Sequence, residues 1–307
     1  MANISAVINV VREEVIYLPR LLNSIVGLVD EIVLIDMTEG DENISLLAEK
    51  YNLRVSEHRP VPFVELVRNY GISKTTGKWI IFLDPDEEVS TTLANKLAKI
   101  AQEGSVDYVR IPRKNIIFGK WMKHSRWWPD YNIRFFRKGS VVWEEKIHKV
   151  PTATGTALEL KDKEELALVH YHYESVSQFI TRMDRYTDVQ AKEIAANKKY
   201  KFIWKDLVRK PLAEFLSRYF AGEGYKDGLH GLSLAGLQAF SEAVVYLKVW
   251  EMEKFLEQAI SPDEIAQTSG SISWESQWWV DEMLIKNRGL LSSLSLRAKR
   301  KLSKKKK

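Results

Sequence analysis

No cysteine occurs among the 307 residues, which excludes a disulfide framework, a thiolate zinc centre and a cysteine nucleophile. The redox compartment is left open by this, and a reducing one fits. No G-x-G-x-x-G turn follows the first apolar segment and no Walker-type lysine loop occurs anywhere, which counts against dinucleotide oxidoreductases and P-loop enzymes. No stretch of 18 uninterrupted apolar residues is present, so no membrane span is predicted. Met1-Ala2-Asn3-Ile4 has no basic stretch ahead of its apolar residues and predicts a first strand rather than a signal peptide.

A basic body is lacking as well. The formal charge is +5, from 46 basic and 41 acidic residues. Residues 297–307 contain eight basic residues and no acid, so the rest of the chain holds 38 basic against 41 acidic residues, a charge of −3. Basicity confined to a tail argues against a nucleic-acid partner. Such a tail is either a solvated end or an attachment to anionic lipid, worth roughly 1 kcal/mol per charge near the surface.

What the chain does have is Trp79-Ile80-Ile81-Phe82-Leu83-Asp84-Pro85-Asp86-Glu87-Glu88. An apolar run of strand length ends in a cluster of carboxylates, so a strand buried on both faces delivers acids to its C-terminal end. That end is where open α/β sheets bind ligands. Two carboxylates either side of a proline can share one divalent cation, and hard oxygen ligands select Mg2+ or Mn2+ over zinc. Asp84 and Asp86 are the candidate ligands; the alternative is a solvated acidic turn.

Ile4 to Val11 is apolar and β-branched and predicts a central strand. Ile16, Leu18, Leu21, Leu22 and Ile25 follow at helical spacing, and Glu31 to Asp36 is a second apolar strand ending in a carboxylate. A helix over about 41–51, a short strand at 53–56 and a helix over 63–75 lead to the acidic strand. This alternation predicts parallel pairing with right-handed crossovers, which puts Asp36 and Asp84 on one edge of the sheet. Asp36 then suits a ribose or base while Asp84 and Asp86 meet phosphates through the metal.

Ile4 to Val11, Glu13-Glu14, Leu18-Pro19, Asp30 to Asp36, Asp41, Arg68-Asn69-Tyr70-Gly71 and Trp79 to Glu87 together resemble the family 2 glycosyltransferases of the GT-A fold. The similarity leans toward the bacterial branch that builds lipopolysaccharide core and related glycans. It implies an α/β fold with a mainly parallel sheet, a nucleotide-diphospho-sugar donor, a Mn2+ or Mg2+ ion and inversion at the anomeric carbon. It further implies that Asp36, Asp41 and Arg68 hold the nucleoside side of the donor. Met37-Thr38-Glu39-Gly40 departs from the small residues usual between the two aspartates.

Past the acidic turn the sequence predicts a helix over 91–102 and a strand over 108–112. Residues 113–137 interleave Trp121, Trp127, Trp128 and Tyr131 with Lys123, His124, Arg126, Arg134 and Arg137. These either stack sugar and neutralise phosphate or pack a hairpin onto the sheet. Trp143-Glu144-Glu145-Lys146-Ile147-His148-Lys149 stands where the resembled family ends a loop in Val-His-Glu, with Lys149 replacing the final acid. His148 is a candidate third metal ligand. An inverting transfer needs a carboxylate to accept the proton of the acceptor hydroxyl, and Glu145, Glu144 and Glu87 are the candidates, Glu145 preferred.

Residues 166–173 resemble the family's closing strand. Ser175 opens a helix to about Asn197 whose Arg182 either steadies the pyrophosphate or forms a structural ion pair. Residues 198–220 alternate basic and aromatic side chains, the pattern of a helix lying on an anionic membrane surface; packing against the protein is the alternative. A long apolar helix is expected over about 229–258, covered by protein, lipid or a second copy in a homo-oligomer. A linker over 261–273 and a short helix opening at Trp274 are expected after it. The domains expected are a GT-A catalytic domain at 1–174, an amphipathic helical extension at 175–260, a linker with a Trp-rich helix at 261–296 and the polybasic tail at 297–307. The functional expectation is transfer of a sugar to a hydroxyl of a glycolipid or glycan, in the cytoplasm, peripheral on the inner face of a bacterial plasma membrane. The competing expectation is a membrane-associated binder of nucleotide sugar or glycan that kept the fold and lost catalysis.

Overall fold

Every residue of β1 (Ile4–Val10) is buried, which is why its sequence is a continuous apolar run and not an alternation. β1 lies between two parallel neighbours, β2 (Glu31–Asp36) and β4 (Trp79–Leu83), and β3 (Arg54–Glu57) pairs in parallel with β2. The crossovers are α1 (Leu18–Ile25), α2 (Glu42–Tyr51) and α3 (Glu65–Ser73). The computed structural model describes residues 3–61, 63–144, 151–288 and 292–297.

Beyond β4 the chain adds β5 (Glu87–Val89), α4 (Thr91–Glu103), β6 (Tyr108–Ile117), β7 (Lys120–Trp121), β8 (Asp130–Arg137), β9 (Val141–Val142), β10 (Thr152–Ala153), β11 (Ala157–Glu159) and β12 (Leu168–Tyr173). The main sheet runs in the order β3-β2-β1-β4-β8-β6-β12-β5, with β7 and β11 pairing at β6. β8 is antiparallel to both β4 and β6, so the parallel half gives way at β4 to an antiparallel extension.

The two faces of the parallel half are covered separately. Ile4, Ala6, Ile8 and Val10 join Leu18, Leu21, Leu22 and Ile25 of α1 and Leu93, Leu97 and Ile100 of α4 in one cluster. Each of the buried Val, Leu and Ile side chains among these contributes roughly 1.5–3 kcal/mol. On the other face Val7 packs with Ile72, Ile80, Phe82, Phe136 and Trp143. α3 comes so close that a Cβ at Gly71 would lie 2.7 Å from Cγ1 of Val7, so a larger residue there would force either α3 or the side chains beneath it to shift.

The chain divides into two compact units, Met1–Trp121 with Trp128–His172, and Met122–Trp127 with Tyr173–Lys307. The second unit is helical: α5 (Val176–Ala196), α6 (Asp206–Leu216), α7 (Leu229–Met252) and α8 (Pro262–Asn287). Ala191, Phe202, Tyr246 and Val249 form its core. Within it the short segment 122–127 is tied down by Asp227, which accepts from the backbone of Lys123 at 3.2 Å and of His124 at 2.9 Å.

Two expectations differ in this unit. Residues 198–220 are not one amphipathic helix: α6 begins at Asp206, Phe202 is buried, Phe215 stacks on Tyr219, and Tyr219 meets Phe220 edge to face. Nor is 261–273 a linker. Ser261 caps Glu264 in a reciprocal capping box with Pro262 in the first turn, and α8 runs unbroken through Asn287. α7 is long and apolar enough by length and composition to cross a membrane, a test that core helices also pass; it exposes Leu229, Leu232, Phe240 and Leu247.

Candidate active site

Register places the acidic residues. Val10 of β1 pairs with Asp36 and Ile8 with Leu83, so Asp36 and Asp84 emerge at the same C-terminal edge, one on each side of β1. The expectation of a shared edge rests on parallel pairing alone, and the pairing is parallel.

After β2 the chain turns sharply. Oδ1 of Asp36 accepts from the backbone N–H of Thr38 at 2.8 Å. Thr38 Oγ1 accepts from the N–H of Asp41 at 3.1 Å, and Asp41 caps α2 by accepting from Asn43 at 2.9 Å. Asp41 thus works as a helix cap. Among the described residues no hydrogen bond engages Oδ2 of Asp36, whose residue is 8% exposed.

After β4 the acids are not alike. Asp84 is bonded to Arg134 and lies 3.8 Å from Arg68. Burial pushes its carboxyl up, but Arg134, Arg68 and Arg113 together hold it well below the usual carboxylate range. Glu87 is fully buried; it accepts from the N–H of Asp84 at 2.9 Å and from Arg134 at 2.8 Å, with Arg113 at 3.6 Å. Burial raises its carboxyl, and the neighbouring charge of Asp84 adds to the rise. The same two carboxylates overcome burial and push the Arg134 guanidinium above its ordinary value. Glu87 therefore cannot meet an acceptor hydroxyl, and its place among the candidate bases is corrected: it braces the turn.

Asp86 faces a different partner. Its Oδ1 lies 3.5 Å from Nε2 of His170, and both residues are buried. Nδ1 of His170 is 2.7 Å from Oδ1 of Asn115, whose Nδ2 donates to Asp130 at 3.1 Å. A carboxylate only accepts, so the amide orientation is fixed and Nδ1 of His170 donates to Oδ1 of Asn115. Arg113 closes the circuit through a forked pair with Asp130 at 2.9 and 2.7 Å. The two aspartates of the turn are thus joined by a ring of charged and polar side chains through Arg134, Glu87, Arg113, Asp130, Asn115 and His170.

Arg68 stacks over Phe82 at 5.0 Å and Trp143 at 5.5 Å, and burial lowers its proton affinity. Arg134 is 3% exposed and serves the turn. Arg182 belongs to the helical unit, where it lies over Tyr173 at 5.8 Å. Glu144 is exposed, while Glu145 and His148 lie outside the described residues. Sequence reasoning missed Arg12, Arg113, Asn115, Asp130 and His170. Arg113 and Asn115 carried a signal, since polar residues two apart on a strand share one face.

No group of three or more His, Asp or Glu side chains among the described residues is arranged to hold a metal ion. Mg2+ and Mn2+ are commonly held by one or two carboxylates completed by phosphates and water. The donor set of the turn, carboxylate oxygen with imidazole beside it, is compatible with such an ion.

Residues 5–158 match the family described as Glycosyl transferase family 2. An uncharacterized glycosyltransferase of Rickettsia typhi is 23% identical over 265 residues, 83% of this chain and 89% of the relative. One of Rickettsia felis is 24% identical over 205 residues, 63% of this chain and 71% of the relative. Among solved structures, Staphylococcus aureus TarS 1–349 aligns over 84% of this chain and 93% of its own with 15% identity and a TM-score of 0.43. The same protein in complex with UDP aligns over 85% and 94% with 13% identity and a TM-score of 0.43.

Proposed function

The chain belongs to glycosyl transferase family 2, and from that premise we propose that it moves a sugar from a nucleotide-diphospho-sugar to a hydroxyl of a glycolipid or glycan, with inversion and with the help of Mn2+ or Mg2+. The chain is a nucleotide-sugar glycosyltransferase with an α/β, GT-A fold. The observation that carries the finer reading is the placing of Asp36 and Asp84 on either side of β1 at one edge of the sheet.

In this reading Oδ2 of Asp36 accepts from the nucleoside. Asp86 faces the diphosphate, and Asp84, kept ionised by Arg134 and Arg68, holds the turn in shape while Arg68 adds positive charge near the phosphates. A divalent cation bound at Asp86 would neutralise charge on the departing nucleoside diphosphate. The acceptor oxygen forms a bond to the anomeric carbon as the bond from that carbon to the diphosphate oxygen breaks, and the hydroxyl proton passes to Glu144 or Glu145. The exposed apolar residues of α7 together with the eight charges of 297–307 support a lipid-linked acceptor at an anionic membrane surface.

Thermal unfolding with a panel of nucleotide sugars, each with and without MnCl2, tests the reading. A ligand that binds only the folded chain raises its melting temperature, and a rise that needs both components is expected. No rise with any UDP, GDP or dTDP sugar would sink it.

A further inference from the structure

The loop between β2 and α2 is clamped from the neighbouring strand end. Nη2 of Arg12, which follows β1, donates to the carbonyl of Thr38 at 2.7 Å and reaches that of Glu39 at 3.4 Å. Each of these carbonyls leads into a residue with left-handed backbone, Glu39 at φ 58° and Gly40 at φ 91°. Glycine adopts that region freely, whereas the Cβ of a glutamate crowds the following carbonyl there. Strained backbone of this kind persists only where the surroundings fix it, and it gathers at ligand-binding sites.

The peptide that Arg12 clamps is the one whose residue serves Asp36. Thr38 is 1% exposed, and its N–H is the donor to Oδ1 of Asp36. Its hydroxyl accepts from Asp41 N–H, so the loop is pinned at both ends of the turn. Remove Arg12 and the carbonyls of Thr38 and Glu39 lose a charged donor, the left-handed pair loses what holds it, and the Thr38 N–H is released from the carboxylate it orients.

We propose that Arg12 is a positioning residue for the nucleoside of the donor: by gripping the carbonyls of Thr38 and Glu39 it keeps one oxygen of Asp36 occupied and aims the other at the sugar nucleotide. This rests on the assignment of Asp36 to the nucleoside made above. Arg12 acts through Asp36 and not on the phosphates. Its loss therefore weakens nucleoside recognition and leaves diphosphate recognition alone.

The test is a double-mutant cycle read by isothermal titration calorimetry. Wild type, Arg12→Ala, Arg12→Lys, Asp36→Asn and the Arg12→Ala/Asp36→Asn double variant are titrated with the tightest binder of UDP, GDP and dTDP, and separately with inorganic pyrophosphate, all with MnCl2. Arg12→Ala is expected to weaken the nucleoside diphosphate about tenfold and pyrophosphate less than twofold, with Arg12→Lys, which keeps a charged donor but loses the planar guanidinium, between it and wild type. In the Asp36→Asn background Arg12→Ala is expected to add less than twofold, because both changes remove one contact. A full Arg12 effect in that background, or an equal loss of pyrophosphate, overturns the proposal and leaves the Asp36 assignment standing. Wild-type affinity in Asp36→Asn overturns the nucleoside assignment itself, and the proposal with it. Melting temperatures establish that each variant is folded; should Arg12→Ala fail to fold, the cycle runs with Arg12→Lys.

Discussion

Arg134 and Glu87 meet at 2.8 Å with 3% and 0% of their side chains exposed, and the same guanidinium holds Asp84. Breaking a buried ion pair from one side strands the other charge and costs roughly 3–5 kcal/mol. Arg134→Met is expected to destabilise the chain by about that much in urea unfolding. Arg134→Met with Glu87→Gln is expected to recover part of the loss, since the second change removes the stranded carboxylate.

The two carboxylates of this cluster give opposite pH dependences. Asp84 is held below its ordinary value, so the unfolded chain binds its proton first and stability falls as pH drops below about 4, the ordinary aspartate value. Glu87 is raised, so the folded chain binds its proton first and stability falls as pH rises past about 4.3. Asp84→Asn is expected to flatten the acid limb of a stability–pH curve, and Glu87→Gln to flatten the limb just above it. Unchanged acid limbs in Asp84→Asn would show that its arginine partners do not keep it ionised.

The parallel half of this fold was legible because β1, β2 and β4 are buried almost throughout and α1 carries a clean apolar stripe. Asp36 and Asp84 followed from that pairing without any knowledge of side chains. What sequence could not supply was which acid meets which base: Glu87 stands next to Asp86 in the chain's acidic run yet is sealed beneath Arg134, and His170, 84 residues from Asp86 in sequence, faces it. Such pairings depend on the antiparallel strands β6, β8 and β12, whose order in the sheet has no local signature. The start of α8 did have one. Ser261-Pro262-Asp263-Glu264 is a capping box with proline in the first turn, and the polar residues after it masked the helix because they lack an apolar stripe.

That box makes its own prediction. Ser261→Ala leaves the N–H of Glu264, which donates to the serine hydroxyl at 3.2 Å, without its acceptor. The expected cost is about 1 kcal/mol, seen as faster amide exchange over 263–266. Adding Glu264→Ala is expected to cost less than it does alone, since the two halves of the box act together.

Attachment to anionic lipid is tested on vesicles. The full chain is expected to sediment with vesicles containing phosphatidylglycerol and not with pure phosphatidylcholine. Replacing Lys304, Lys305, Lys306 and Lys307 by Ala is expected to reduce that binding more than tenfold, at roughly 1 kcal/mol per charge. Binding to both lipids alike would assign it to the apolar side chains of α7, and binding to neither would leave a second copy of the chain as the cover for that helix.

Asp86 decides the chemistry. It is 4% exposed and lies against His170, yet its neighbours Asp84 and Glu87 carry the ion pairs that shape the turn, so removing the Asp86 charge should leave that shape intact. Asp86→Asn is expected to cut turnover of the donor by roughly 100-fold or more, the scale at which loss of one charge-stabilising group is felt in a preorganised site, with a melting temperature close to wild type. The measurement is release of nucleoside diphosphate from the sugar nucleotide in the presence of MnCl2 with no acceptor added, which separates donor activation from acceptor binding. Asp84→Asn in the same assay is expected to lose both turnover and stability, because Arg134 then faces Glu87 alone. Full turnover in a folded Asp86→Asn chain would move the reacting diphosphate away from this turn.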